Sequence, residues 1–145
     1  MKEQWYKHQL TQEQLKAFID EARTGKNNKK AFIGIVSPAA AERIASACGK
    51  KTEKIMLESE GIRHSYKKNN HNLKDDDLLY IVDAINTATD IKVSSRKHQN
   101  NECLEICKDI DGEITFIMEV RIHYGGWLTL VTCYRLKKNR GGATL

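Results

Sequence analysis

Two histidines and two lysines lie close together in the stretch GIRHSYKKNNH, at positions 61–71. If this stretch is helical, four side chains fall at i, i+3, i+4 and i+7 on one face: His64, Lys67, Lys68 and His71. Imidazole exchanges a proton near neutral pH, and ammonium groups bind phosphate oxygens. Like charges at this spacing repel one another by about 0.3 kcal/mol per pair. The face therefore indicates either a solvated surface or a binding site for an anion.

A metal site is a poorer interpretation of the same residues. Histidine ligands on a helix usually stand at i and i+4, whereas His64 and His71 are seven positions apart. The nearby run Asp75–Asp77 is better explained as a helix N-terminus, where carboxylates are favourable. The four cysteines, which include no CxxC pair, are expected to be free thiols: Cys48, Cys103, Cys107 and Cys133. No glycine-rich phosphate loop is present, and no metal or cofactor is expected.

Two hydroxyl side chains interrupt the last predicted strand, WLTLVTCYRLKK at positions 127–138. A period of two places five side chains on one face: Leu128, Leu130, Thr132, Tyr134 and Leu136. Three leucines identify that face as the one toward the helices. A buried hydroxyl without a partner costs about 1–3 kcal/mol. We therefore expect Thr132 and Tyr134 either at the sheet rim or in a cleft where the helix carrying His64 crosses the end of the sheet.

Two arginines are further candidates for contacts with a polyanion. Arg121 lies on the preceding predicted strand, but its parity is opposite to that of the apolar face. Arg96 and Lys97 lie on a predicted edge strand, where solvated charges are common.

The elements that position these residues change in type along the chain. The first helix is predicted to begin at the capping box of Thr11 and Gln14 and to end at Gly25, and a second follows Ser37 and Pro38. Short apolar strands are predicted at 31–36 and 53–59, and further helices follow Ser59 and the aspartate run. From residue 90 the period becomes two, which predicts strands at 90–98, 102–110, 113–123 and 127–138. The expected fold is α+β, with N-terminal helices packed on one face of a C-terminal antiparallel β-sheet.

The composition predicts one domain over residues 1–145, with a helical lead-in at 1–30, a core at 31–138 and a flexible tail at 139–145. No segment approaches the roughly 18 apolar residues of a membrane span, and the N-terminus lacks the apolar run of a signal peptide. We therefore expect no membrane association and a cytoplasmic location, in the producing or a target cell. The net charge of +5 favours a polyanionic partner.

The order of these segments resembles the phage-associated branch of the barnase–EndoU–colicin–RelE (BECR) ribonuclease superfamily. The resemblance covers residues 31–138: the strand KIML, the helix with IRHSYKKNNH, the segment DDDLLYIVDAINTATDI and the final strand LTLVTCYRLKK. The helix histidine of the family matches His64, and its T-x-Y pair on the final strand matches Thr132 and Tyr134. The second histidine of the family helix often stands nearer the first than His71 does here.

The resemblance implies a metal-independent endoribonuclease of the toxin or phage-effector type. Such enzymes attack phosphorus with the 2′-hydroxyl of RNA and leave a 2′,3′-cyclic phosphate. His64 would be the general acid or base and Thr132 would orient a phosphate oxygen, while Tyr134 would donate a hydrogen bond or stack on a base. Phosphate contacts would come from the basic residues, with Lys67 counted among the catalytic group: Lys67, Lys68, His71, Arg121 and Arg96.

The expected partners are RNA, with tRNA as one candidate, and an acidic immunity or antitoxin protein. Two alternatives remain open on the same residues. One is a non-catalytic module that binds RNA or phosphate, and the other is a module that binds an acidic protein.

Overall fold

The computed structural model describes residues 5–67, 71–98, 101–123 and 125–137, except for the side chains of 95–98 and 101–102. The elements in chain order are α1 (Gln12–Thr24), β1 (Lys30–Ile35), α2 (Pro38–Cys48), β2 (Lys54–Glu58), α3 (Ser59–Lys67), α4 (Ile81–Asn86), β3 (Asp90–His98), β4 (Asn101–Asp109), β5 (Ile114–His123) and β6 (Trp127–Lys137). Short 3₁₀ helices span Trp5–Lys7 and Asp77–Tyr80. The tail predicted at 139–145 lies outside the described residues.

The helix boundaries follow the capping signals of the sequence. Thr11 and Gln14 form the predicted capping box, with both reciprocal hydrogen bonds present. Ser37 caps α2 ahead of Pro38, and Gly49 ends that helix in the left-handed conformation at φ 76°. These local predictions are confirmed because they depend only on residues within one turn of each helix end.

The strands form one six-stranded mixed sheet in the order β1-β2-β6-β5-β4-β3. All neighbours are antiparallel except β2 and β6, which are parallel. The α+β class and the antiparallel pairing of the four C-terminal strands are confirmed, but the sheet has six strands and is mixed, which the sequence did not predict. The two short apolar strands β1 and β2 join the same sheet beside β6, where β2 is buried on both of its faces.

The hydrophobic core lies between the helices and one face of the sheet. The strand residues of that core include Phe116, Met118 and Val120 of β5 and Leu128, Leu130 and Cys133 of β6. We call the opposite side of the sheet the second face. Its central side chains are Glu119, Arg121 and His123 of β5 and Thr129, Thr132 and Tyr134 of β6.

A β-bulge in β6 reverses the predicted orientation of its second half. Glu119 pairs with Thr132, yet the next residue, Val120, pairs with Leu130, so Val131 is an extra residue. Thr132, Tyr134 and Leu136 therefore lie on the second face instead of sharing a face with Leu128 and Leu130, as the period of two predicted. Arg121, which we expected to point away from them, lies on the same face as Thr132.

Helix α3 covers the edge of β6 beyond the end of β2. Strand β2 pairs with β6 only from Trp127 to Thr129. Farther along, a Cβ atom at Gly61 would clash with the carbonyl oxygen of Leu130, and the Cys133 N–H donates to Ser65 Oγ at 3.1 Å. The helix thus approaches within backbone contact of the strand and satisfies part of its open edge.

The stripe of four side chains requires one helix over the whole stretch, and the described helix α3 spans Ser59–Lys67. His71 lies beyond the helix, and Lys68 is outside the described residues.

Candidate functional site

Cross-strand pairs on the second face bring the polar residues of β5 and β6 side by side. The pairs are Glu119 with Thr132, Arg121 with Thr129, and His123 with Trp127. Directly opposed residues of an antiparallel pair have Cβ atoms about 5 Å apart. The alternation of β5 and the bulge of β6 place these side chains in one continuous row. We call Glu119, Arg121, His123, Thr129 and Thr132 the polar row.

The guanidinium of Arg121 is fixed at the centre of this row. Its Nε and Nη2 lie 3.1 and 2.8 Å from His123 Nε2, and Nη2 also donates to Glu58 Oε2 at 3.4 Å. Because His123 Nε2 accepts from the guanidinium, a neutral His123 carries its proton on Nδ1. Arg121 is only 5% exposed. The guanidinium is thus oriented from two strands, and its charge is paired with the carboxylate of Glu58.

Two buried hydroxyls flank this guanidinium. Thr129 and Thr132 are 1% and 7% exposed, and within the described part of the chain the Oγ1 of each has no hydrogen-bond partner. An unsatisfied buried hydroxyl costs about 1–3 kcal/mol, and functional sites are among the places where such costs occur. Thr129 is enclosed, whereas Thr132 leads to the half-exposed side chain of Tyr134. Thr132 is therefore the buried hydroxyl of the row that lies nearer to solvent, and Arg121, itself buried and paired with Glu58, lies on the neighbouring strand.

His71 lies against the same end of β6. Its ring centroid is 5.5 Å from that of Tyr134, with the rings inclined by 37°. Its Nδ1 lies 2.8 Å from the carbonyl oxygen of Ser65, so Nδ1 carries the proton and donates. In a neutral His71 the Nε2 atom is then a proton acceptor. From the sequence, His71 was expected only as a phosphate contact, whereas the structure places its ring beside Tyr134.

His64 is exposed on α3, next to the residue that contacts β6. Ser65 faces the edge of β6, and Ile62 is completely buried in the core. With 3.6 residues per turn, His64 lies about 160° from Ile62, on the side of the helix that faces away from the core. The structure thus brings His71, Thr132 and Tyr134 to one end of β6, while His64 is exposed on the adjoining helix α3.

The other candidates from the sequence are less closely associated with this end. Lys67 is exposed in the last turn of α3. Arg96 lies in β3, which is separated from β6 by two strands, and its side chain is outside the described residues. Among the described residues, neither side chain is shown in contact with the polar row.

Glu58, His123 and Thr129 were not among the residues proposed from the sequence. The alternation Glu119, Arg121, His123 is legible in the sequence, but it predicts an outward-facing strand surface with no partner. Only the pairing of β2 with β6 and the bulge at Val131 show that β6 contributes to the same surface.

The thiols of Cys107 and Cys133, of which only the second is fully buried, are not activated nucleophiles. Burial raises the pKa of Cys133 to about 12 and also raises the pKa of Cys107. All four cysteines are free, as expected. In the part of the chain that is described, no three His, Cys, Asp or Glu residues are grouped to hold a metal ion. Within the same ranges, no helix has the length and apolar character needed to cross a membrane.

Comparisons of this chain with models of protein families, with curated proteins and with solved structures find no match.

Proposed function

We propose that the chain is a metal-independent endoribonuclease whose active site is the end of the second face around Thr132 and Arg121. One observation carries the proposal. A buried guanidinium and a buried hydroxyl without a described partner lie on neighbouring strands, and His71 packs beside Tyr134 of the strand that carries the hydroxyl, with His64 exposed on the adjoining helix α3. Phosphate oxygens are the natural acceptors for both donors, and the histidines supply proton transfer.

The reaction needs one proton acceptor and one proton donor. The 2′-oxygen of a ribose forms a bond to phosphorus and loses its proton to the acceptor. The bond from phosphorus to the 5′-oxygen breaks, and the donor protonates that oxygen, leaving a 2′,3′-cyclic phosphate. Nδ1 of His71 donates to Ser65, so its Nε2 suits the role of acceptor, and the exposed imidazole of His64 supplies the donor.

Arg121 and Thr132 stabilise the negative charge that develops on the phosphorane oxygens. The guanidinium is already oriented by Glu58 and His123, so it needs little reorganisation when the charge forms. Tyr134, stacked against His71, orients that imidazole and presents its hydroxyl to the substrate.

The test is incubation of the protein with total RNA and with a defined single-stranded RNA in EDTA. We expect cleavage with 2′,3′-cyclic phosphate ends, abolished in His64→Ala and His71→Ala and unchanged in Lys16→Ala, an exposed residue of α1. Added imidazole restores part of the activity if the lost group transfers a proton. Absence of cleavage by the wild type would contradict the proposal, and so would cleavage by both histidine variants at the rate of the wild type. RNA binding without cleavage would instead support a non-catalytic phosphate-binding module.

A further inference from the structure

A cluster of aromatic rings and lysines occupies the other end of the second face. Trp5 packs on Trp127 with ring centroids 4.9 Å apart, and Phe32 meets Trp127 edge-on at 5.3 Å. Lys54 Nζ lies 5.4 Å from the ring centroids of both Phe32 and Trp127, and Lys30 Nζ lies 5.9 Å from that of Trp5. We call these five residues the aromatic–lysine cluster. Each ammonium group lies over the face of an aromatic ring, and neither forms an ion pair with a carboxylate among the residues that the structure describes.

The cluster is continuous with the proposed active site. Trp127 is the cross-strand partner of His123, the imidazole that orients Arg121. It also pairs in parallel register with Lys54. Trp127 is two residues from Thr129, or about 7 Å along the strand, which is the scale of one nucleotide step in an extended single strand. A chain of phosphates crossing Arg121 would therefore pass next to this cluster.

Packing of the N-terminal segment explains the contact between Trp5 and Trp127, but it does not explain the two lysines. Both tryptophans remain partly exposed, as does Lys54, while Lys30 is exposed. A partly exposed indole offers a stacking surface to any nucleobase, worth about 1–3 kcal/mol per base. Ammonium groups beside the rings neutralise the phosphates that accompany the bases. An acidic protein would satisfy the lysines but has no need of the indoles.

We propose that the aromatic–lysine cluster is a docking subsite for single-stranded RNA, with bases stacked on Trp127 and Trp5 and phosphates bound by Lys54 and Lys30. The inference rests on the proposed function for its choice of RNA. Bases inside a duplex are already stacked on one another, so the subsite selects unpaired nucleotides next to the cleaved phosphate.

Tryptophan fluorescence tests this subsite directly, because the two tryptophans of the chain are both in the cluster. The probe is a short single-stranded oligonucleotide with 2′-O-methyl riboses, which cannot be cleaved through the 2′-oxygen. We expect saturable quenching by this probe, binding at least about tenfold weaker for its duplex, and no quenching by polyglutamate of equal charge. Equal quenching by the duplex, or binding of polyglutamate as tight as that of the oligonucleotide, would overturn the proposal.

Matched variants separate the subsite from general charge effects. Lys54→Ala is expected to weaken binding of the probe about fivefold, Lys54→Arg to retain it, and Lys16→Ala to leave it unchanged. Trp127→Phe and Trp5→Phe each remove part of the quenched signal. If Lys54→Ala and Lys16→Ala weaken binding equally, the proposal fails.

The outcome is independent of the cleavage assay. Quenching without RNA cleavage would keep the docking subsite and remove the proposed nuclease activity. Cleavage without quenching would keep the proposed nuclease activity and remove the docking subsite.

Discussion

Thr132 is a residue at which one substitution should raise stability and lower activity. Its Oγ1 is buried and has no partner among the described residues. Replacing a threonine in this state by valine removes an unsatisfied polar atom at nearly constant shape. We expect Thr132→Val to raise the free energy of unfolding by about 1 kcal/mol while it lowers kcat/KM for RNA about tenfold or more. Urea unfolding and single-turnover cleavage measure the two effects.

Thr52 supplies the matched control for this variant. Its Oγ1 is also buried without a described partner, but the residue lies in the connection between α2 and β2, not on the polar row. Thr52→Val should therefore stabilise the protein to a similar extent and leave cleavage unchanged. A loss of activity in both variants, or a loss of stability in Thr132→Val, would argue against a phosphate site at Thr132.

Cys133 makes the stability of the protein sensitive to alkaline pH. Burial raises its pKa from 9.0 to about 12, so the unfolded chain releases the thiol proton first. The stabilisation is complete below pH 9 and is lost as the pH rises from 9 toward 12. Between pH 8 and pH 10 this thiol accounts for a loss of roughly 1 kcal/mol.

The variant Cys133→Ala isolates that contribution. The cavity it leaves lowers stability equally at every pH, whereas the titration of the thiol disappears. We expect the difference in unfolding free energy between pH 8 and pH 10 to shrink by roughly 1 kcal/mol relative to the wild type. The same difference should persist in Cys48→Ala, whose thiol is only half-buried. An unchanged difference in Cys133→Ala would mean that this thiol does not cause the loss of stability at alkaline pH.

At the scale of elements, the contact of α3 with the edge of β6 depends on Gly61. Alanine is a better helix former than glycine by about 1 kcal/mol, which alone predicts a more stable variant. A Cβ atom at this position, however, would clash with the Leu130 carbonyl oxygen, and backbone atoms do not yield as a side chain does. We expect Gly61→Ala to lower the unfolding free energy by about 1–3 kcal/mol and to reduce cleavage, because α3 must move away from β6.

Gly112 is the control for this helix contact. It lies in the turn between β4 and β5 with no atom near an added Cβ, and Gly112→Ala should change stability and cleavage little. If Gly61→Ala is instead more stable than the wild type, the close approach of α3 to β6 is not a constraint on the fold.

How far the sequence predicts this molecule depends on the range of each interaction. The capping box of α1, the Ser37 cap of α2 and the strand predicted at 113–123 involve neighbours in the chain, and they are confirmed. The bulge at Val131 and the parallel pairing of β2 with β6 depend on residues far apart in sequence, and no local pattern signals them. The bulge alone decides that Arg121 and Thr132 share a face.

At the scale of the whole molecule, the two faces of the sheet differ in composition and burial. The helices bury the apolar side chains of one face, and this packing holds the strands in place. The second face then carries both the polar row and the aromatic–lysine cluster on strands whose positions the core fixes. A site on rigid strands needs few mobile parts, so substitutions on the second face should alter binding and cleavage more than folding.

The net charge of +5 does not by itself say where a polyanion binds, but salt dependence does. Each phosphate contacted on a single strand contributes about −0.7 to the slope of log affinity against log salt concentration. Contacts by Arg121, Lys54 and Lys30 predict a slope of about −2 for the 2′-O-methyl oligonucleotide between roughly 50 and 200 mM salt. Lys54→Ala should bring the slope to about −1.4, because one counterion fewer is released, and Lys16→Ala should leave it unchanged. A slope that Lys54→Ala does not alter would place the phosphate path away from the aromatic–lysine cluster, since a lysine that contacts no phosphate releases no counterion on binding.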